Sequence, residues 1–158
     1  MFPQLVLPNP RAGRLAALAA AGLLAAGCGG ATSPRDATAW RANASGVLLQ
    51  LRDDVAQAAV AGQTVGEARR ALRDESDLFA LVIVYSDLGG CRAMVRNAGA
   101  PARVEAALAL PCPVLERAAA TFSHAVARSD ADALLRAGRE ARDAQRLIVR
   151  ALAALRAA

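Results

Sequence analysis

Lysine is absent from this 158-residue chain, and all 19 of its basic side chains are arginine. Every permanently cationic side chain is therefore a planar guanidinium fork, which holds phosphate or carboxylate by paired hydrogen bonds. Together with the abundance of alanine, the missing lysine points to a GC-rich coding bias, which concerns the source and not the function. Aromatic residues are almost as scarce: beyond Phe2 there are only Trp40, Phe79, Tyr85 and Phe122. Four rings do not make an aromatic platform for single-stranded nucleic acid. Histidine occurs once, at His124. Without a second histidine, a Glu-x-x-His or a Cys-x-x-Cys-His, zinc, di-iron and covalent haem sites lack their ligand sets. Paired acid and base groups for general catalysis are likewise not legible, and no catalytic residue is assigned. The expectation is a non-enzymatic protein without metal or cofactor.

What is present begins at the N-terminus. Arg11 and Arg14 precede an apolar run from Leu15 to Ala26 interrupted only by Gly22. At about 12 residues the run is too short for a hydrocarbon core, which needs roughly 20. Positive charge, a short apolar segment and then small residues make the order of a secretory signal. Arg11-Ala-Gly-Arg14 is not a paired-arginine motif, so export in the unfolded state is expected. The apolar run closes on Leu23-Leu24-Ala25-Ala26-Gly27-Cys28, and Gly29-Gly30-Ala31-Thr32-Ser33-Pro34 follows as a flexible tether.

The Leu23 to Cys28 stretch resembles the lipobox of bacterial lipoproteins, with small Ala26 and Gly27 directly before the cysteine. The family usually carries leucine three residues before the cysteine; here that position is Ala25 and Leu24 sits one residue further out. The resemblance implies removal of residues 1–27, acylation of Cys28 by palmitate-like chains, and a protein held at an envelope membrane outside the cytoplasm. Either the cell membrane or an outer membrane fits. The residues also allow an ordinary signal cleaved after Ala26, which would leave Cys28 a plain thiol. The expected layout is a signal peptide over 1–27, a lipidated cysteine and tether over 28–34, and one domain over 35–158. Arg11 and Arg14 contribute to the net charge of +5, so the domain is less basic than the whole. Export takes nucleic acid off the list of partners.

The domain reads as helix throughout. Ser33-Pro34-Arg35-Asp36 is a helix start, and Trp40, Ala44, Val47, Leu48, Leu51, Val55 and Ala58 recur at three and four as one apolar stripe that Gly62 ends. Thr64-Val65-Gly66-Glu67 is a capping box opening a second helix through about Ala98. In it the run from Leu78 to Tyr85 predicts a fully buried turn, and Gly89-Gly90 a bend. Asn97 to Pro101 is a stop and turn. A third helix carries Val104, Leu108, Cys112, Leu115, Ala119, Phe122 and Val126 inward. Pro111 and Pro113 interrupt it, giving a short helix and then a longer one. Ser129-Asp130-Ala131-Asp132 caps a fourth, whose stripe is Leu134, Ala137, Ala141, Ala144, Ile148, Ala151, Leu152 and Leu155. Four long helices and short turns predict an all-α fold, an antiparallel four-helix bundle in up-down-up-down order. Alanine at so many inner positions predicts close helix approach and a thin core.

With Cys28 assigned to lipid, Cys91 and Cys112 remain as a pair. Outside the cytoplasm an even remainder predicts a disulfide. Their midpoint falls at the Gly99–Pro101 turn. A chain folding back there brings both to the same height, roughly 15 Å from the apex.

Several motifs invite a chemical reading. His124 lies on a helix face with Arg117, Thr121 and Arg128, which points it to solvent; a haem held by His124 and Met94 would need both to turn inward. Asp74, Glu75 and Asp77 lack the glycine turn and ligand spacing of a calcium loop and read as a charged outer face. Asn43-Ala44-Ser45 has the form of a glycosylation acceptor but lies within a helix. The suggestive pattern is Arg139, Arg142, Arg146 and Arg150, spaced three, four and four opposite the alanine-leucine stripe. Beside a membrane, such a row meets lipid phosphates or an anionic cell-wall polymer. Glu140 and Asp143 nearby also fit a plain solvated face. The functional expectation is a lipid-anchored helical protein that works by contact with an envelope protein, anionic lipid or polymer. The alternative is a small-ligand carrier with a pocket lined by Trp40, Tyr85 and Phe122.

Overall fold

The computed structural model describes residues 34–60 and 63–158. The export segment, Cys28, residues 29–33 of the expected tether and Gly62 lie outside the described residues; Pro34, expected to end the tether, is the first residue of a helix. Within them the chain is helical, with seven helices and no strand. These are α1 Pro34–Val60, α2 Val65–Ala71, α3 Glu75–Gly89, α4 Cys91–Asn97, α5 Ala102–Leu108, α6 Cys112–Arg128 and α7 Ala131–Ala157.

Local chemistry sets the breaks. At α2 the capping box forms as expected: Glu67 N–H donates to Thr64 Oγ1 at 3.3 Å, and the Glu67 carboxylate accepts from Thr64 and Gln63 N–H at 3.0 Å. These hydrogen bonds, the Thr64 ones first, hold the Glu67 carboxyl below its ordinary value. α6 ends at Ser129 in the left-handed region (φ 50°), and Asp130 caps α7 by accepting from Ala133 N–H at 2.9 Å. Gly99, at φ 73°, makes the turn between α4 and α5, a conformation that disfavours any side chain.

The expected single helix from Thr64 to Ala98 is instead three, α2, α3 and α4. Asp74 caps a new helix, with its carboxylate accepting from Ser76 and Asp77 N–H at 3.0 Å, and α3 and α4 meet at Gly90 with a bend of 57°. A second correction concerns the run from Leu78 to Tyr85, which is not buried all round. Phe79, Val82 and Ile83 are 67%, 44% and 50% exposed, whereas Leu81, Val84 and Tyr85 are buried. The reason lies in the packing: α3 presses mainly on α1 and α6, which cover one side of it and leave the outer side bare.

α1 packs against α7 and α3, and α6 packs against the same two helices. Leu48, Leu51, Leu88, Leu108, Leu115 and Ile148 are the large side chains at the centre. Alanine lines the inner face of α7 at positions 133, 137, 141, 144 and 151. Gly138 allows the closest approach, since a Cβ there would sit 3.1 Å from the carbonyl oxygen of Ala58 on α1. Cys91, at the start of α4, and Cys112, at the start of α6, are fully buried and joined by a disulfide, with Cα atoms 5.3 Å apart. Arg92 and Glu116 pair beside it, the guanidinium donating to both carboxylate oxygens at 3.1 Å.

Candidate functional site

α7 presents two faces. At 3.6 residues per turn, its buried positions Leu134, Ala137, Ala141, Ala144, Ile148 and Ala151 share one side, and Arg139, Arg142, Arg146 and Arg150 fall on the other. All four arginines are exposed. None forms an ion pair among the described residues, where the pairs are Arg52–Asp53, Arg92–Glu116 and Arg136–Asp130. Glu140 accepts from Thr121 Oγ1 of α6 at 2.8 Å and lines a surface depression with Arg139, Arg142 and Asp143. Asp143 remains on the outer face. Arg142, Asp143, Arg146 and Arg150 line a shallow surface depression with Gln145 and Val149, the last 57% exposed. Unpaired guanidinium groups on adjacent turns can grip a row of phosphates or carboxylates.

The other positions singled out by sequence are placed elsewhere. His124 is exposed on α6, and Met94 is half-buried against the core. Asp74, Glu75 and Asp77 sit at the start of α3, where Asp74 serves as its cap. Asn43 is exposed on α1. Among the described residues no three His, Cys, Asp or Glu side chains are grouped to share a metal ion. Tyr85 and Phe122 stack on each other inside the core, ring centroids 4.2 Å apart and planes within 6°. Trp40 is half-buried at the core's margin with the Arg41 guanidinium 5.3 Å from its ring. The two stacked rings are both buried.

Two features were not anticipated. The first is a groove of about 590 Å³ between the end of α1, α2 and α3, lined by Val60, Ala71, Ala80, Leu81 and Val84 and by the polar side chains Gln57, Glu67, Arg70 and Asp77. Its walls come from three helices that read as two in the sequence, so no pattern announces it. The second is Asp54, 8% exposed, the one buried charged residue among those described. It follows Leu51 by three and precedes Ala58 by four, so the stripe of α1 itself places it inward. Its Oδ2 has no hydrogen-bond partner, nor does the buried Tyr85 hydroxyl. Burial, and then the charges of Asp87 and Asp53, push the Asp54 carboxyl up to about 6. Asp87 is itself held by Gln50, whose Nε2 donates to its Oδ2 at 2.9 Å. Burial, and then the charge of Glu140, raises the Tyr85 phenol.

Asp54 carries a sign for stability. The folded state holds the proton to about pH 6 and the unfolded chain only to the model-peptide value of 3.8. Its favourable contribution is therefore complete below pH 3.8 and is lost as pH rises through about 6. Asp54→Asn removes the ionised form. At pH 7.5 it should be more stable than the native chain by up to about 3 kcal/mol, and near pH 4 the difference should nearly vanish. Thermal melts of both proteins at the two pH values check this, and an equal gap at both contradicts it.

Comparison with known proteins finds no protein family, no curated protein and no solved structure that matches this chain.

Proposed function

We propose that this chain is a non-enzymatic, lipid-anchored envelope protein of bacteria that works by contact, with the outer face of α7 as its binding surface for phosphate-bearing lipid or polymer. The observation that carries the reading is the row Arg139, Arg142, Arg146 and Arg150, exposed, unpaired among the described residues and aligned opposite the buried stripe. The lipobox-like segment ending at Cys28 supplies the second half, since acylation there brings the row close to a bilayer.

In this reading the four longest helices, α1, α3, α6 and α7, run up-down-up-down, with α2, α4 and α5 as elaborated turns. Gln50 meets Asp87 midway along α1 and near the end of α3, and Ala58, late in α1, meets Gly138, early in α7. Both contacts suit antiparallel neighbours. The end of α7 that carries Arg146 and Arg150 then lies toward the start of α1, the helix that follows Cys28 and the tether in the sequence. A guanidinium close to an anionic leaflet contributes about 1 kcal/mol, so the row acts as one patch rather than four weak contacts.

Residues 29–158, which lack the cysteine to be acylated, should sediment with vesicles containing anionic lipid and not with neutral ones. Binding should fall as salt rises, because exposed charges are screened. Changing all four arginines to glutamine removes about 4 kcal/mol at low salt and should weaken the binding about a thousandfold. Equal binding by the variant discards this surface.

A further inference from the structure

The groove between α1, α2 and α3 differs in charge from the arginine row. Its walls are mostly apolar, with Val60 from α1, Ala71 from α2, and Leu81 and Val84 from α3. Its volume of about 590 Å³ suits a small molecule, since such sites span about 300–1,000 Å³ and combine apolar walls with a few placed polar groups. Here the polar groups are Gln57, Glu67, Arg70 and Asp77. No aromatic ring is among the lining residues.

Two of the three charges answer one another. The Glu67 carboxylate accepts from the Thr64 and Gln63 N–H groups, and the positive charge of Arg70 favours its ionised form as well. Asp77 makes no ion pair among the described residues. It shares one side of α3 with Ala80, Leu81 and Val84, which follow it at three, four and seven and line the same groove. The acids continue along the seam between α1 and α3. Asp54 precedes Gln57 by three, and Asp87 follows Val84 by three. Asp54 is buried, with its Oδ2 unpartnered. Of the nearby cations, Arg52 is paired with Asp53, and Arg69 and Arg73 line a separate depression that Arg70 also borders. The unbalanced charge at the groove is negative.

We infer that the groove binds a small organic cation, a primary ammonium on an aliphatic body, with the ammonium at Asp77 and the body against Val60, Leu81 and Val84. An ammonium brings three donors and no acceptor, and an ionised carboxylate only accepts, so the two are matched. A quaternary ammonium is the poorer ligand, because it has no proton to donate and the walls hold no ring for a cation–π contact. An anionic amphiphile meets Asp77 with its own sign, and Arg70 already lies beside Glu67. A neutral apolar molecule would cover Asp77 and take water from it without giving a partner, which is costly. A bare metal ion lacks ligands, since no three His, Cys, Asp or Glu side chains are grouped among the described residues. The inference rests on neither the lipid anchor nor the arginine row.

The test uses the full chain in nanodiscs of neutral lipid at low salt, with methyl-labelled valine and leucine and with pentylammonium as the probe. Titration should shift the methyl resonances of Val60, Leu81 and Val84 and leave Val149 on α7 unmoved. Pentanoate, with a comparable body and the opposite charge, should not shift them, nor should methylammonium, which has the charge alone. Asp77→Asn should raise the dissociation constant about fivefold, the upper end of what an exposed ion pair contributes. Ala80→Phe should fill the groove and abolish the shifts. Both positions are exposed, so both variants should keep the native helical circular dichroism. Equal shifts with pentanoate, an unchanged dissociation constant in Asp77→Asn, or no shift at Val60, Leu81 and Val84 with millimolar probe overturns the proposal.

Discussion

Replacing both Cys91 and Cys112 with alanine should lower the unfolding free energy by about 3 kcal/mol. The disulfide closes a loop with a sequence separation of 21, and it acts largely by restricting the unfolded chain. It also bridges the starts of α4 and α6, where α4 is a short helix set off by the 57° bend. A seven-residue helix has little stability of its own. The alanine pair adds no polar group to a site that is fully buried, so the loss reports on the crosslink. In urea the unfolding midpoint should fall accordingly, and the native chain under reducing conditions should match the variant. A midpoint unchanged by both treatments would mean that the loop is already held by its packing.

The size of that effect follows from the core around it. α7 offers mostly alanine to its neighbours, and each alanine buries little apolar area. The helices compensate by coming close, as Gly138 against the Ala58 carbonyl shows. A thin core makes a crosslink worth a large share of the total.

Much of the fold was legible because α-helical periodicity is strong in α1, α6 and α7. The stripe Ala44, Leu48, Leu51, Val55 and Ala58 is buried as its spacing requires, and the proline pair at 111 and 113 separates α5 from α6. The cysteine pairing was legible from parity and from the turn midway between the two. In the region 64–98 the bend at Gly89–Gly90 is where the sequence puts it, but the burial differs for a physical reason. An unbroken apolar run such as Leu78 to Tyr85 says that a segment is hydrophobic, and does not say which side of it is covered. Asp74, read as part of a solvated charge cluster, is the cap that starts α3. The arginine row was plain in the sequence, but not that Glu140 beside it accepts from Thr121 of α6. Tyr85 and Phe122, read as two walls of a pocket, instead stack together.

The largest effect that the proposed acylation predicts belongs to Cys28. One acyl chain holds a protein only marginally at a membrane, while two give stable anchoring, because each buried methylene contributes about 0.8 kcal/mol. Cys28→Ser should therefore move the chain from the membrane to the soluble fraction almost completely, and not by a modest factor. The arginine row alone, screened at physiological salt, does not retain it. Loss of the arginines with Cys28 intact should leave the chain on the membrane but unable to gather anionic lipid or polymer around it.

Intact-mass determination of the chain recovered from its native envelope fraction tests the account most directly. The expected mass is that of a polypeptide starting at Cys28 and carrying acyl chains on that residue. A chain that starts at any other residue, or one with a free thiol at position 28, contradicts it.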